Sequence, residues 1–229
     1  MINLFNKFLY DPLLKSLVFL YQKFSFHDLG IAIIILTIII RFILFPLFYK
    51  GAKDQAIMQR LSPKIKEIQK NHKDDKEKQT RALLDLYKEH KVNPFSGFLL
   101  LLVQLPILIA LYKVFLNGLS VITLNGPINN LFLGIIDLNQ RNIVLVVVAA
   151  AVQYYQGKLA LPKINKPSNE LDIAEKMGRQ MVFMGPVLTF VFLYFFNLPS
   201  AVALYWLTTS IFSVIQQIII NKRIKTMNI

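Results

Sequence analysis

The 229-residue sequence contains no cysteine, which excludes disulfides, thiolate metal sites and cysteine nucleophiles. Its three histidines, His27, His72 and His90, lie far apart and form no metal-ligand spacing. There is no phosphate-binding Gly-rich loop, no HExxH and no GxSxG. Acid is scarce: 13 Asp and Glu stand against 26 Lys and Arg, for a formal net charge of +13. None of the long apolar runs contains a carboxylate, so the paired acids expected of a proton-coupled pump are missing. A signal-peptide cleavage pattern is also absent. These absences lead to the expectation of a non-enzyme without metal or cofactor.

What is present is apolar residue in blocks. The hydrophobic fraction is 55% and the mean hydropathy +0.48, more than a soluble domain of this size needs. A bilayer core takes a helix of about 20 apolar residues. Leu29 to Tyr49 is such a run, interrupted by Gly30, Thr37, Arg41 and Pro46. Phe95 to Leu116, Met181 to Phe196 and Pro199 to Ile220 are others. Ile143 to Tyr155 is only 13 residues long; it spans if it extends from about Leu138 to Gly157, and otherwise reads as a buried soluble helix.

Charge arbitrates. Twelve Lys and Arg lie from Lys50 to Lys91, five from Lys158 to Arg179, and Lys222, Arg223 and Lys225 end the chain, while 117–140 has none. A strongly basic chain suits nucleic acid or an anionic membrane surface; the adjoining apolar runs favour the membrane, and no nucleic-acid binding is expected. Positive loops face the cytoplasm. With five spans the basic segments all fall on one side, N-terminus out and C-terminus in. Without the weak third span they fall on both. Lys7, Lys15 and Lys23, which would lie outside, run against the rule.

The expected architecture is an all-α integral membrane protein. Spans are placed at 28–50, 94–116, 139–157, 178–197 and 199–221. Residues 51–93 form a cytoplasmic helical hairpin, 117–138 and 158–177 are loops, and 222–229 is a short basic tail. In 1–27, Asn3, Lys7, Asp11 and Lys15 recur every four positions among apolar residues, the stripe of a helix lying in the interface; a loose leader is the alternative. Asp11-Pro12 suits the cap and start of its main helix. In the hairpin, Ile57, Leu61, Ile65 and Ile68 form one stripe and Leu83, Leu84, Leu86 and Tyr87 another, either packing together or meeting a partner. Residues 71–75 form its turn, and Ser62-Pro63 is expected to bend or restart its first helix. Joined to the spans only at Lys50-Gly51 and Asn93-Pro94, the hairpin is expected to be the most mobile ordered part.

Arg41 is the most informative residue. It lies eight residues from Tyr49, roughly 12 Å deep at the helical rise. An arginine near the centre of a span costs about 2.5–3.5 kcal/mol on insertion scales. No acid in the runs offsets that cost, so a hydrated cavity open to the cytoplasm is the simpler solution; snorkelling to the headgroups is the other. Thr37, one turn earlier, shares its face. Gln104, Gln153, Thr208, Thr209 and Ser210 are further candidates to line the cavity, or else hydrogen-bond between helices.

The residues also carry a resemblance. Asn93-Pro94-Phe95-Ser96-Gly97, then Gln104-Leu105-Pro106-Ile107 and Ala110-Leu111-Tyr112, resemble the second span of YidC-type insertases. Leu198-Pro199-Ser200-Ala201, Leu204-Tyr205-Trp206 and Gln216-Gln217 resemble their fifth. Ile40-Arg41-Phe42 with Phe45-Pro46-Leu47 resembles the first, and Pro63 to Ile68 and Leu86 to His90 the hairpin. The likeness runs in family order from about residue 5 to 222. It implies five core spans around a hydrophilic groove that is open to cytoplasm and lipid and receives polar parts of entering proteins. By motif position it assigns Arg41, Thr37, Gln153 and Trp206 to that groove, Gln153 on the poorest match. It implies residence in the bacterial inner membrane, with nascent membrane proteins and lipid as partners and the ribosome, signal recognition particle or Sec translocon as further ones. The large extracytoplasmic domain of some members is not in this sequence, and the short tail puts strong ribosome docking in doubt. Two other functions fit the residues: a small channel or facilitator, and an assembly scaffold that binds without translocating.

Overall fold

The computed structural model describes residues 2–118, 129–161 and 173–225. Parts of both expected loops and the end of the tail lie outside them. The described chain is almost wholly helical, as the apolar blocks and stripes predict.

Helix α1 (Ile2–Phe5), a π-helical turn (Asn6–Tyr10) and α2 (Asp11–Lys23) follow without a break. Asp11 therefore does not cap a helix start. Its N–H bonds to the Asn6 carbonyl, five residues back, and this wider turn carries the helix past Pro12. Asn3, Lys7, Asp11 and Lys15 are all exposed, while Leu17, Leu20 and Tyr21 are buried. The segment is thus amphipathic, with its C-terminal half docked on the core.

Helix α3 (Leu29–Ile43) starts at Asp28, whose side chain accepts the Ile31 N–H at 3.1 Å. The single span expected over 28–50 is instead two helices. α4 (Phe45–Asn71) leaves α3 at an angle of 69°. The cause is local: Pro46 has no N–H and stands in the first turn of α4, so a straight helix would lose the bond there and meet the proline ring. The hairpin's first arm therefore begins inside the expected span. It passes Pro63 without restarting. α5 (Lys76–Glu89) forms the second arm, capped by Asp75.

Helix α6 (Ser96–Lys113) ends in a π-helical turn, Val114–Gly118. A two-residue antiparallel pair, β1 (Leu131–Phe132) and β2 (Ile136–Asp137), follows with Leu131 opposite Asp137. α7 (Ile143–Ala160) is capped by Asn142, which accepts from Val144 and Leu145. α8 (Ile173–Phe195) and α9 (Ser200–Lys225) complete the chain.

Three stretches among the described residues are long and apolar enough to cross a membrane: Phe98–Leu116, Ile143–Ala160 and Ser200–Arg223. Taken together as one broken span, the bent pair α3 and α4 has the length and composition of a fourth. The third apolar helix does not extend back to Leu138 as expected: it starts at Ile143 and gains its length by running beyond Tyr155 to Ala160. The apolar part of α8, Val182–Phe195, is shorter. Exposed Leu102, Ile109, Val147, Leu188 and Ile215 cover the outer surfaces of α6 to α9, as helices surrounded by hydrocarbon require.

The packing is polarised. The main apolar core joins α2, α3, α6, α7 and α9 through Leu17, Leu29, Ile33, Leu111, Val146 and Val202. At the end of the bundle away from the hairpin it is tied down by main-chain bonds. The Ala201 N–H reaches the Leu138 carbonyl at 3.1 Å, and the Ser200 N–H reaches that of Gln140 at 2.9 Å. A second cluster lies at the hairpin's base, where Ala56, Ile57, Leu61 and Val92 surround Ile220 of α9. The hairpin is therefore attached to α9 as well as at its two chain connections.

Candidate functional site

Arg41 occupies the last turn of α3 and is only 6% exposed. The bend after Ile43 folds the start of α4 back over it. Its guanidinium carbon lies 4.4 Å from the Phe48 ring centroid, a cation–π contact. The buried Tyr205 of α9 is near enough to interact with it electrostatically. Gln104 of α6 donates to the Tyr205 hydroxyl. Among the described residues Arg41 pairs with no carboxylate. The buried acid among them, Asp54, accepts instead from the Ser96 hydroxyl at 2.6 Å and the Asn93 N–H at 3.4 Å.

Thr37 is buried one turn from Arg41, and its hydroxyl donates to the Ile33 carbonyl at 2.6 Å. That bond uses its proton locally and leaves the oxygen free to accept. Gln153 of α7 accepts from Thr189 of α8 and from the Trp206 indole N–H of α9, the latter at 3.4 Å. The structure thus brings the four sequence-predicted residues together as two groups. Arg41 and Thr37 share one face of α3, and Gln153 and Trp206 touch directly. The groups meet through α9, where Tyr205 and Trp206 are neighbours.

Tyr205, Phe48 and Thr189 belong to this arrangement and were not singled out from sequence. Tyr205 stood only within a family motif. Phe48 reaches Arg41 because of the bend, which Pro46 alone signalled. Thr189 carried no signal.

The Thr209 hydroxyl lies beside that of Tyr205, and two further buried atoms, Gln216 Nε2 of α9 and Gln59 Oε1 of α4, have no hydrogen-bond partner among the described residues. Tyr205, Thr209 and Gln216 recur at helical spacing and share one face. They form a polar line from Arg41 toward the hairpin. On the other side of α9 from this line, where α7 packs along it, an open apolar groove lies between the two helices, lined by Val147, Val148, Ala151, Val152, Ile211 and Val214. Arg41, without a carboxylate partner among the described residues, and the polar line therefore lie on one face of α9, and the apolar groove on another. Among the described residues no group of three or more His, Asp or Glu could hold a metal.

Comparison with known proteins matches residues 19–227 to the family model described as 60Kd inner membrane protein. A protein of Geotalea uraniireducens named membrane protein insertase YidC is 38% identical over 213 residues, covering 92% of this chain and 37% of that relative. Proteins of the same name from Geobacter sulfurreducens and Syntrophus aciditrophicus are each 36% identical, covering 94% and 95% of this chain. The chain spans 37% of the length of these relatives. Because the match embraces the bent first span, the hairpin, the polar line and the paired helices α7 and α9 together, this chain belongs to the 60Kd inner membrane protein family, that of the YidC and Oxa insertases.

Proposed function

We propose that this chain is a membrane protein insertase of the bacterial cytoplasmic membrane, with five spans, its N-terminus outside and its C-terminus inside. Arg41, Thr37, Gln153 and Trp206 form the site that receives a hydrophilic segment of the substrate. The observation that carries this reading is Arg41: a cation buried within a span, with no carboxylate partner among the described residues. A buried charge left without an opposite charge is costly, so it marks a place where another charge is to be received. Thr209 and Gln216 extend the same line to the hairpin side, and Gln216 Nε2, unsatisfied among the described residues, needs water or a polar chain.

No covalent chemistry takes place. The substrate's acidic or polar segment enters from the hairpin side and moves partway through the bilayer beside Arg41, where screening is weak. Its apolar helix settles against the groove between α7 and α9, which opens to lipid, and burial in hydrocarbon drives the step. For an acidic segment moving outward the membrane potential adds about 2.3 kcal/mol per charge per 100 mV. In this reading the hairpin meets nascent membrane proteins and, with them, the ribosome, the signal recognition particle or the Sec translocon.

The test is insertion of a single-span substrate, with an acidic or a neutral tail, by reconstituted variants. Arg41→Ala is expected to impair the acidic-tailed substrate selectively, and Arg41→Lys to keep much of the activity while losing the planar fork of donors. Equal insertion of both substrates by wild type and Arg41→Ala would leave Arg41 as a topological anchor only. Binding without tail movement would indicate a scaffold, and ion conductance a channel.

A further inference from the structure

Two turns at the end of the bundle away from the hairpin carry large apolar side chains in backbone conformations that such residues rarely adopt. In the first, between α2 and α3, Phe26 and His27 have φ of 52° and 59°. In the second, at the tip of the β1–β2 pair, Leu133 has φ of 53° beside Gly134 at 71°. Left-handed backbone favours Gly, Asn or Asp, and a bulky side chain there is strained. Strain of this kind persists where the surroundings over-determine it.

The surroundings here fix both turns side by side. The Asp28 carboxyl accepts the Ile31 N–H through Oδ1 at 3.1 Å and the Leu133 N–H through Oδ2 at 2.7 Å, so one side chain caps α3 and holds the second turn. The Tyr21 hydroxyl accepts the Asn129 N–H at 2.9 Å. Phe132 fills the space over Gly30, where any Cβ would fall within 2.8 Å of the Phe132 Cβ.

What the two turns present outward is apolar. Phe26 is 93% exposed and Ile135 83%. Phe24 and Leu133 are exposed as well, and Phe19 packs on Phe24 with ring centroids 5.7 Å apart. In water such a cluster would be a liability. It is continuous with the amphipathic α2 through the exposed Phe19.

We propose that the turns Phe24–His27 and Leu133–Ile135 insert together into the lipid headgroup and upper acyl layer on the face opposite the hairpin, as one anchor clamped by Asp28. Interfacial apolar side chains reach about 5–10 Å into that layer. The anchor fixes the depth of the tied-down end of the bundle.

The native chain has no cysteine, so single cysteines at 26, 135 and 73 can each carry an environment-sensitive fluorophore in liposomes of zwitterionic lipid. Position 73, in the exposed hairpin turn, is the aqueous reference. Fluorophores at 26 and 135 are expected to emit to the blue, to be quenched severalfold by lipids bearing a nitroxide near the headgroup, and to resist iodide. Phe26→Asn suits the left-handed backbone and is expected to leave thermal unfolding in detergent unchanged or raised, while lipid quenching at 135 falls. Iodide quenching at 26 and 135 equal to that at 73 would overturn the proposal. So would blue emission immune to both quenchers, which would mean that protein covers the turns.

Discussion

The Asp54 carboxyl, 4% exposed, takes its hydrogen bonds from Ser96 and Asn93, far along the chain. It joins the first arm of the hairpin to the start of α6. Beside it the two helices come close enough that a Cβ on Gly51 would meet Leu100 Cγ at 2.8 Å. A buried hydrogen bond to such a group is worth about 1.5–3 kcal/mol. Ser96→Ala is therefore expected to lower stability by an amount in that range, read as a fall in Tm in detergent; an unchanged Tm would mean that the clasp bears no load. Gly30→Ala has a different cause. The added methyl would lie 2.1 Å from Phe132 Cδ2, and overpacking of this kind costs about 1–3 kcal/mol. The loss should appear as faster hydrogen exchange at the Leu133 N–H, which Asp28 holds, and exchange at the native rate would show that the ring moves aside freely. Arg41 was legible from sequence because a charge in an apolar run stands out against its neighbours. Its partners were less so. Phe48 reaches it only through the 69° bend, and Tyr205, one of three aromatic residues in α9, carries no charge to set it apart.

The hairpin shows how far a helix can be read before its contacts are known. Its stripes predicted two helices with a turn between, and α4 and α5 are those helices. The expectation that only the chain connections hold it overlooked Ile220, which is fully buried among hairpin residues. No pattern in one segment reports packing on a helix that lies far off in sequence. Mobility should accordingly be graded. Amides of the base, around Ala56 to Leu61, are expected to exchange slowly and those near the turn at His72 quickly. Uniform fast exchange from 52 to 92 would mean that the α9 contact does not hold in the membrane. The cap of α5 gives a pH dependence. Asp75 Oδ1 accepts the Lys78 N–H at 3.0 Å, and this bond, with the neighbouring Lys78 side chain, holds its carboxyl below the usual aspartate range. A depressed folded value means that the contribution is complete above the unfolded pKa and is lost as pH falls through the folded one. Asp75→Asn should keep the cap and lose the pH dependence, whereas Asp75→Ala should lose both. Titration of the Asp75 carboxyl carbon at the ordinary aspartate value would remove the argument.

Across the whole molecule, apolar and polar burial are separated along the bundle. The main core fills the half away from the hairpin, closed by β1, β2 and the bonds from Ser200 and Ala201. Arg41, Thr209 and Gln216 lie on the hairpin side of it. Hydropathy pointed to long apolar helices but not to this division, because a helix apolar all round has no period that tells its core face from its lipid face. The division bears on the functions that the sequence left open. A channel needs a polar path through both halves. An insertase of the proposed kind needs one half wet and the other closed, so that a polar segment can enter without opening a pore. Single cysteines separate the two. Thr209→Cys and Gln216→Cys, on the polar line, are expected to react with a small charged thiol reagent added from the hairpin side of sealed vesicles. Ile33→Cys and Leu111→Cys, in the core at 1% and 2% exposure, are expected to stay unreactive from either side. Arg41→Ala should not open the core positions, since the seal does not involve it. Reaction at 33 or 111 in the native background would mean a continuous aqueous path, and the channel would then be the better account of the same polar residues.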